Sequence, residues 1–334
     1  MVAVGGLALR AFSEYAAGLD RDNFAPPDVV ELGLGRKGAT QSLTAEAADR
    51  RLTVVIPAYN EEGRLPPVLR ELVAYLAKRR ARDPARTFEV IVVDDGSTDG
   101  TIAAVKAFNR EAKGTDGAGL VRILAVQRNR GKGYAVRMGY LHARGDWILF
   151  MDADGATDIK EIAKVEEEMR GLLAGYSEEE AAAMLAGKRW VQAQVAGGAS
   201  LPGAVFGSRA HMQSEAVAQR KWYRNILMYG FHLLCVLVVG NQIRDTQCGF
   251  KLYTKTGAAL VFPNQRMQRF CFDLELIYAT RRFKIPMREV GVNWEEKDGS
   301  KVKPTTIVHM AFEILVLLMC YRITGVWAVQ DQTF

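Results

Sequence analysis

The sequence predicts an α/β fold in which a mostly parallel sheet is covered by helices on both faces. Three observations carry that expectation. Short, mainly apolar runs recur: "LTVVI" at 52–56, "FEVIVV" at 88–93, "VRILAV" at 121–126 and "WILFM" at 147–151. Between them stand segments with apolar residues at helical spacing, such as Leu65, Val68, Leu69, Leu72, Val73 and Leu76. Strand and helix alternate strictly, which requires crossover connections and so a parallel sheet buried on both faces.

In chain order, residues 1–50 show no clear period and read as an irregular N-terminal segment with at most one short helix. The first strand, "LTVVI", leads through the loop "PAYNEEGR" into a helix whose Pro66 and Pro67 fit because they fall in its first turn. "FEVIVV" leads through "DDGSTDG" into "TIAAVKAF", with Ser97 or Asp99 available as cap. "VRILAV", the loop "QRNRGKG" and the helix "YAVRMGYLHA" follow, then "WILFM". The polar loops all follow strands, so they gather at the carboxyl ends of the sheet, where open α/β folds place their ligands. "YSEEEAAAMLAGK", within an insertion at 172–200, has helix-forming composition and no identifiable chemistry. The expected division is 1–50, a core over 51–218, and 219–334 with acceptor-side helices and completing strands.

The 334-residue chain is 49% hydrophobic, which is a folded composition, and its formal charge of +6 points to an anionic partner without choosing one. Cys235, Cys248, Cys271 and Cys320 are widely spaced, so core thiols are expected rather than a zinc or disulfide framework. No secretory signal is legible in "MVAVGGLALRAF". "ILMYGFHLLCVLVVG" from Ile226 and "IVHMAFEILVLLMCY" from Ile307 fall short of the roughly 20 residues of a spanning helix, and are read as helices buried in a core or lying in a membrane interface.

"FMDADGATD" ends a strand on acidic residues. Asp152 and Asp154 can share a hard divalent ion, Mg²⁺ or Mn²⁺, with substrate phosphates. Asp94 and Asp95 can accept hydrogen bonds from a base N–H and ribose hydroxyls. "NRGKG" either offers backbone N–H groups and Lys132 to phosphate or uses its glycines simply to make a turn. Neither a P-loop nor a GxGxxG spacing is present, which removes the main support for kinase-like and dinucleotide-binding readings.

"VVIPAYNEEGRLPPVL", "VIVVDDGSTDGT", "NRGKGYAVRMG" and "FMDADGATD", in this order, resemble the nucleotide-sugar domain of family 2 glycosyltransferases with the GT-A (Rossmann-like) fold. "FGSRAHM", "RDTQCGFKLY", "FDLELIYATRRFKIPMREVGVNW" and "DGSKVKP" resemble the branch that glycosylates a polyprenyl phosphate. The resemblance runs from about Leu52 to Trp327. It implies UDP-glucose as donor, dolichyl phosphate as acceptor, and work for N-glycan assembly on the cytosolic face of the endoplasmic reticulum membrane. Pro57, Tyr59, Glu61 and Asp94 match positions that hold the uridine or its ribose, with Asp95 and Lys132 beside them. Asp152 and Asp154 match the metal and diphosphate carboxylates. Arg209 and Arg224 match arginines used for the acceptor phosphate, and Ser300 and Lys301 a loop that closes over the site. The implied catalytic set is Asp154, Arg209 and Arg224.

Two departures stand out. Mannosyl relatives often carry a glutamine where this chain has Ala156, so the metal shell is left to water, phosphate or Asp158. Many glucosyl enzymes carry an N-terminal membrane anchor that is not visible in 1–50, so attachment is expected to rest on the short apolar helices, with Lys284, Arg288, Lys297, Lys301 and Lys303 meeting anionic headgroups. Nucleic acid is not among the implied partners, and a homodimer is compatible with the sequence. The rival readings are a mannosyl or other polyprenyl-phosphate sugar transferase, a polysaccharide synthase, and an inactive nucleotide-binding scaffold.

Overall fold

A computed structural model describes residues 29–32, 48–112, 121–212, 234–297 and 304–329, with no side-chain description for 304–308. The four apolar runs are strands: β2 (Arg50–Ala58), β3 (Phe88–Asp94), β4 (Arg122–Val126) and β5 (Gly145–Met151). They pair in parallel in the order β4-β3-β2-β5. Alternate residues of each strand enter two separate cores, which is why the runs are apolar without a polar face. Val54 and Ile56 of β2 pack with α1 (Leu65–Arg82), α2 (Thr101–Glu111) and α4 (Glu161–Ala174). Val55 faces α3 (Lys132–Leu141) and the C-terminal elements instead.

Among the described residues the sheet has eight strands and is more mixed than strict alternation implies. β6 (Ala204–Ser208) and β8 (Met287–Gly291) run parallel, while β7 (Phe250–Thr254) lies antiparallel between β5 and β6. Residues 1–50, expected to be irregular, contribute β1 (Val29–Leu32), antiparallel to β4. Its short "VVEL" run carries a charged residue in a position that would normally face water, and Glu31 is instead buried against Arg122. The insertion forms α5 (Glu178–Leu185), opened by a Ser177–Glu180 capping box, and α6 (Arg189–Ala196). α7 (Lys255–Val261), α8 (Phe272–Arg282) and α9 (Pro304–Leu317) complete the described helices, with a helical turn at 234–239 and a π-helical turn, Leu318–Ile323, extending α9. Residues 226–233 of the first apolar stretch lie outside the described residues.

At the amino ends of the parallel strands a buried charge cluster ties four strands together. Arg122 of β4 donates to Glu31 of β1 at 2.8 Å and to Glu89 of β3 at 2.9 Å. Glu89 also accepts from Thr53 of β2 at 2.7 Å and from the Arg144 guanidinium at 3.0 Å. Burial pushes the Glu89 carboxyl up, but Arg122, Thr53 and Arg144 outweigh it and hold the group below its ordinary range. Its contribution to stability is therefore complete above the ordinary carboxylate range and lost as pH falls through the depressed folded value. Arg122→Ala leaves two carboxylates buried without their partner, and we expect a loss of about 3–5 kcal/mol. Urea unfolding at neutral pH checks this, and the deficit should shrink as acid protonates Glu89.

Candidate active site

The loops after β2 and β3 are interlocked. Asn60, at φ +53°, donates its backbone N–H to Ser97 Oγ at 2.9 Å and accepts from Thr98 N–H at 2.8 Å. Glu61 N–H donates to Thr101 Oγ1 at 2.8 Å, and Glu62 N–H to Asp99 Oδ2 at 3.1 Å. Asp99 also accepts from Thr101 N–H at 3.0 Å, whereas Ser97, the other candidate cap, serves the neighbouring loop. Arg64 forks onto both carboxylate oxygens of the buried Glu61 at 2.7 Å. Pro57 is buried at the end of β2, where pairing with β5 has already stopped, so its missing N–H costs no ladder bond there. Tyr59 is exposed beside it.

Asp94 and Asp95 end β3 with different roles. Asp94 Oδ2 accepts from Ser97 N–H at 3.1 Å, while its Oδ1 is buried with no hydrogen-bond partner among the described residues. Burial pushes its pKa up. An orphaned buried acceptor costs about 1–3 kcal/mol, which a donor on a ligand recovers. Asp95 has both oxygens occupied, by Arg130 N–H and Gly131 N–H at 2.8 Å each. Burial raises its pKa to about 6 against those two bonds. Its geometry is that of a residue holding the "NRGKG" loop rather than of a ligand contact.

That loop does not form the phosphate cradle its glycines imply. Beyond the two N–H groups given to Asp95, Gly133 N–H donates to Arg269 O at 3.1 Å and Tyr134 N–H to Gln268 O at 3.0 Å. The Lys132 side chain is the part of the loop that reaches the acidic pair. Its ammonium lies 2.6 Å from Asp152 Oδ1 and 5.3 Å from the centre of the Phe150 ring. Burial lowers the Lys132 pKa, but Asp152, Asp273 and Asp154 outweigh it, so the group is held charged.

Asp152 and Asp154 stand at the end of β5 and are partly exposed. Asp152 fits because residue 249 has no side chain: a Cβ there would lie 2.1 Å from Asp152 Oδ2. Asp154 Oδ1 accepts from Ala156 N–H at 3.0 Å. The two carboxylates are hard oxygen donors that leave room for phosphate and water, a set that fits Mg²⁺ or Mn²⁺. Asp158 does not complete the set: its Oδ1 accepts from Lys160 N–H at 2.9 Å, and no cluster of three or more acidic, His or Cys side chains suited to a metal occurs among the described residues.

Arg209 follows β6 and is gripped by Asp245. Its Nε and Nη2 donate at 2.7 and 2.9 Å, and its backbone N–H adds a third bond at 2.9 Å. Asp245 is in turn fixed by Glu289, which accepts its backbone N–H at 2.9 Å. The Arg209 guanidinium lies 5.2 Å from the Trp294 ring centre, and the strand of Trp294 is stitched to the acidic loop by a bridge to Thr157 and by Glu295 N–H to Ala156 O at 2.8 Å. Arg209 Nη1 still faces outward from this fork. Asp245, Gly249 and Arg64 are site residues that local patterns did not single out; each is recognised only through a partner distant in sequence or by a close approach. Arg224, Ser300 and Lys301 lie outside the described residues.

An acidic pair after β5 and an orphaned carboxylate at the end of β3, on either side of β2 in a mostly parallel sheet, are the features of a GT-A glycosyltransferase. The family described as Glycosyl transferase family 2 matches residues 53–174, the stretch from β2 through α4. Two curated relatives extend the match: a "Dolichyl-phosphate beta-glucosyltransferase" of Homo sapiens, 39% identical over 89% of this chain and 84% of that protein, and its namesake in Drosophila melanogaster, 38% identical over 93% and 85%. The chain belongs to the dolichyl-phosphate beta-glucosyltransferase family and is a glycosyltransferase. A crystal structure of a mycobacterial protein shares the fold, with TM-score 0.50 and 18% identity over 85% of this chain and 79% of that one.

The contact between Gly249 and Asp152 gives a direct test. Gly249→Ala should lower kcat by about a hundredfold, because the carboxylate must move by an ångström or more. The melting temperature should stay near wild type, since the displaced atom is the end of a side chain. Full turnover in that variant would mean that Asp152 is not held where the reaction needs it.

Proposed function

We propose that this enzyme transfers glucose from UDP-glucose to dolichyl phosphate, giving dolichyl-phosphate β-glucose with inversion at C1, for N-glycan assembly at the cytosolic face of the endoplasmic reticulum membrane. The observation that carries the donor half is the buried, unpartnered Asp94 Oδ1, an acceptor suited to a base N–H or ribose hydroxyl, on the strand next but one to Asp152 and Asp154. The names of the relatives supply the acceptor half.

The chemistry fits a cleft without a dedicated base. A phosphate monoester with second pKa near 6 is largely ionised at pH 7, so the acceptor arrives as a nucleophile. The residues must bring two anions together and hold them in line. Tyr59 and Asp94 orient the nucleoside, Asp95 fixes the loop that carries Lys132, and Lys132 supplies positive charge at Asp152. Arg209, with Nη1 still directed away from the Asp245 fork, and Arg224 meet the acceptor phosphate; Ser300 and Lys301 close over the bound pair. A divalent ion, Mg²⁺ or Mn²⁺, when held by Asp152 and Asp154, supplies charge that stabilises the departing UDP.

Membrane contact has a candidate surface. Phe312 and Leu315 on α9, Ile323 and Val326 just beyond it, and Leu237 on the turn at 234–239 are 45–63% exposed. Phe312 and Leu315, three residues apart, share one face of α9, and Ile323 and Val326 follow in the π-helical turn and the chain after it. Arg322 on the same stretch donates to Val238 O at 3.1 Å, drawing Leu237 alongside. No helix among the described residues is long and apolar enough to cross a membrane, so this face supports interfacial contact. Of the expected headgroup cations, Arg288 pairs with Glu168 at 2.9 Å and Lys297 with Glu295 at 2.5 Å, while Lys301 and Lys303 lie outside the described residues.

Two measurements test this reading. Labelled sugar should pass to dolichyl phosphate in detergent from UDP-glucose and not from GDP-mannose, with loss on EDTA treatment and in Asp154→Ala; product from GDP-mannose alone would move the enzyme to a sister activity. Phe312→Glu with Leu315→Glu should cut sedimentation with phospholipid vesicles by about tenfold or more, leaving transfer to a detergent-dispersed acceptor in place. Unchanged sedimentation would assign membrane contact to another face.

A further inference from the structure

Arg269 stands in the strap of residues 264–271 that joins α7 to α8. The strap's backbone is pinned on two sides. On one, Gly133 N–H and Tyr134 N–H at the start of α3 donate to the carbonyls of Arg269 and Gln268. On the other, the buried Glu275 accepts Arg266 N–H at 2.8 Å and Met267 N–H at 2.7 Å, and Cys271 N–H donates to Glu313 of α9 at 3.1 Å. The Arg269 residue itself is exposed.

Its approach to the cleft depends on Gly131. That residue sits at φ +112°, and a Cβ on it would lie 2.5 Å from Gln268 O and 2.9 Å from Arg269 Cγ. Loop and strap therefore touch at the residue next to Lys132, and a side chain at 131 would push the arginine away. Several described cations around the cleft already have carboxylate partners: Lys132 with Asp152, Arg64 with Glu61, Arg209 with Asp245 and Lys251 with Asp273. No ion pair among the described residues includes Arg269. The strap thus carries Arg269 between the loop before α3, which it touches at Gly131, and α9, which it meets through Cys271 N–H and Glu313.

We propose that Arg269 is a further substrate-contacting residue of this reaction, binding the phosphate of the lipid acceptor between the start of α3 and α9. The proposal rests on the reading that the acceptor is a polyprenyl phosphate. A guanidinium offers a planar fork that matches two phosphate oxygens at once, and this one has both arms available, whereas the Arg209 fork is partly spent on Asp245. Its place beside α9 lies where a phosphate held at a bilayer surface would enter, and its full charge offsets the repulsion between acceptor and donor diphosphate.

The test uses the full chain with two acceptors, dolichyl phosphate in phosphatidylcholine vesicles and a water-soluble ten-carbon isoprenyl phosphate. Transfer by the wild type establishes the acceptor reading by itself; no transfer to either would remove that reading and the proposal with it. Given transfer, Arg269→Gln should raise KM for both acceptors by about tenfold or more. KM for UDP-glucose and the calorimetric Kd for UDP should stay unchanged, and Arg269→Lys should recover part of the loss. An unchanged acceptor KM, or an equal rise in KM for UDP-glucose, would overturn the assignment. So would a defect confined to the vesicle acceptor, which would make Arg269 a headgroup contact.

Discussion

The constraint on which this structure turns is the collection of like charges at one end of the sheet. β3 ends in Asp94 and Asp95, and Asp152 and Asp154 follow β5, all opening toward one cleft. Two unit charges about 4 Å apart repel by roughly 4 kcal/mol at an effective dielectric of about 20. The fold answers each carboxylate differently. Asp95 is given two backbone N–H groups, Asp152 an ammonium, and Asp94 one N–H with one oxygen left bare. On β7, which pairs with β5, the fully buried Lys251 has its own carboxylate partner, Asp273 at 2.6 Å, so that pair adds no net charge. Full neutralisation would leave nothing for a ligand, and the residual imbalance is confined to Asp94 and Asp154.

Meeting that constraint decides how an anion can be bound. A glycine-rich loop before a helix often binds phosphate through its backbone, but here the N–H groups of residues 130, 131, 133 and 134 are all spent on Asp95 and on the strap carbonyls. Positive charge must come from side chains brought in from other parts of the chain: Lys132, Arg209 and, in our proposal, Arg269. Such side chains can be moved or removed one at a time without unravelling the loop, so donor and acceptor binding are separable by mutation.

Much of the parallel core was legible in the sequence because both faces of its strands are buried, so each run is unmistakably apolar and bounded by polar loops. The candidate carboxylates were legible for the same reason, as charged residues that abruptly end such runs. Direction and pairing were not. Nothing local in "FKLYT" says that it enters antiparallel between β5 and β6, and "VVEL" hides a strand because its buried Glu31 has its partner 91 residues away. Asp245 meets Arg209 across 36 residues, and the need for glycine at 249 exists only because Asp152 folds against it. Which reading of "NRGKG" applies could not be told locally, because its N–H groups are taken by Asp95 and by a carbonyl from residue 269. In each case the missing information is a contact between distant segments, which no periodicity encodes.

The strap that consumes those N–H groups also joins the two halves of the proposed reaction. Glu275 accepts from Tyr321 Oη at 2.6 Å as well as from two strap N–H groups, and Arg266 reaches the same hydroxyl at 3.0 Å. The Tyr321 ring lies 4.5 Å from Tyr278 and 5.4 Å from Trp327, so the end of α9 is packed onto α8 by aromatic contact around a buried polar network. A buried network of this kind is stable only when each member keeps its partner, and it therefore moves as a unit or not at all. The same strap, through Gln268 and Arg269, sets the first turn of α3 and with it the position of Lys132 against Asp152. The seat of the apolar face and the charge at the donor site are thus fixed by one continuous set of hydrogen bonds. In the proposed reaction, which joins a soluble anion to one held in a membrane, that arrangement would let an orientation set at the apolar face be passed to the donor residues.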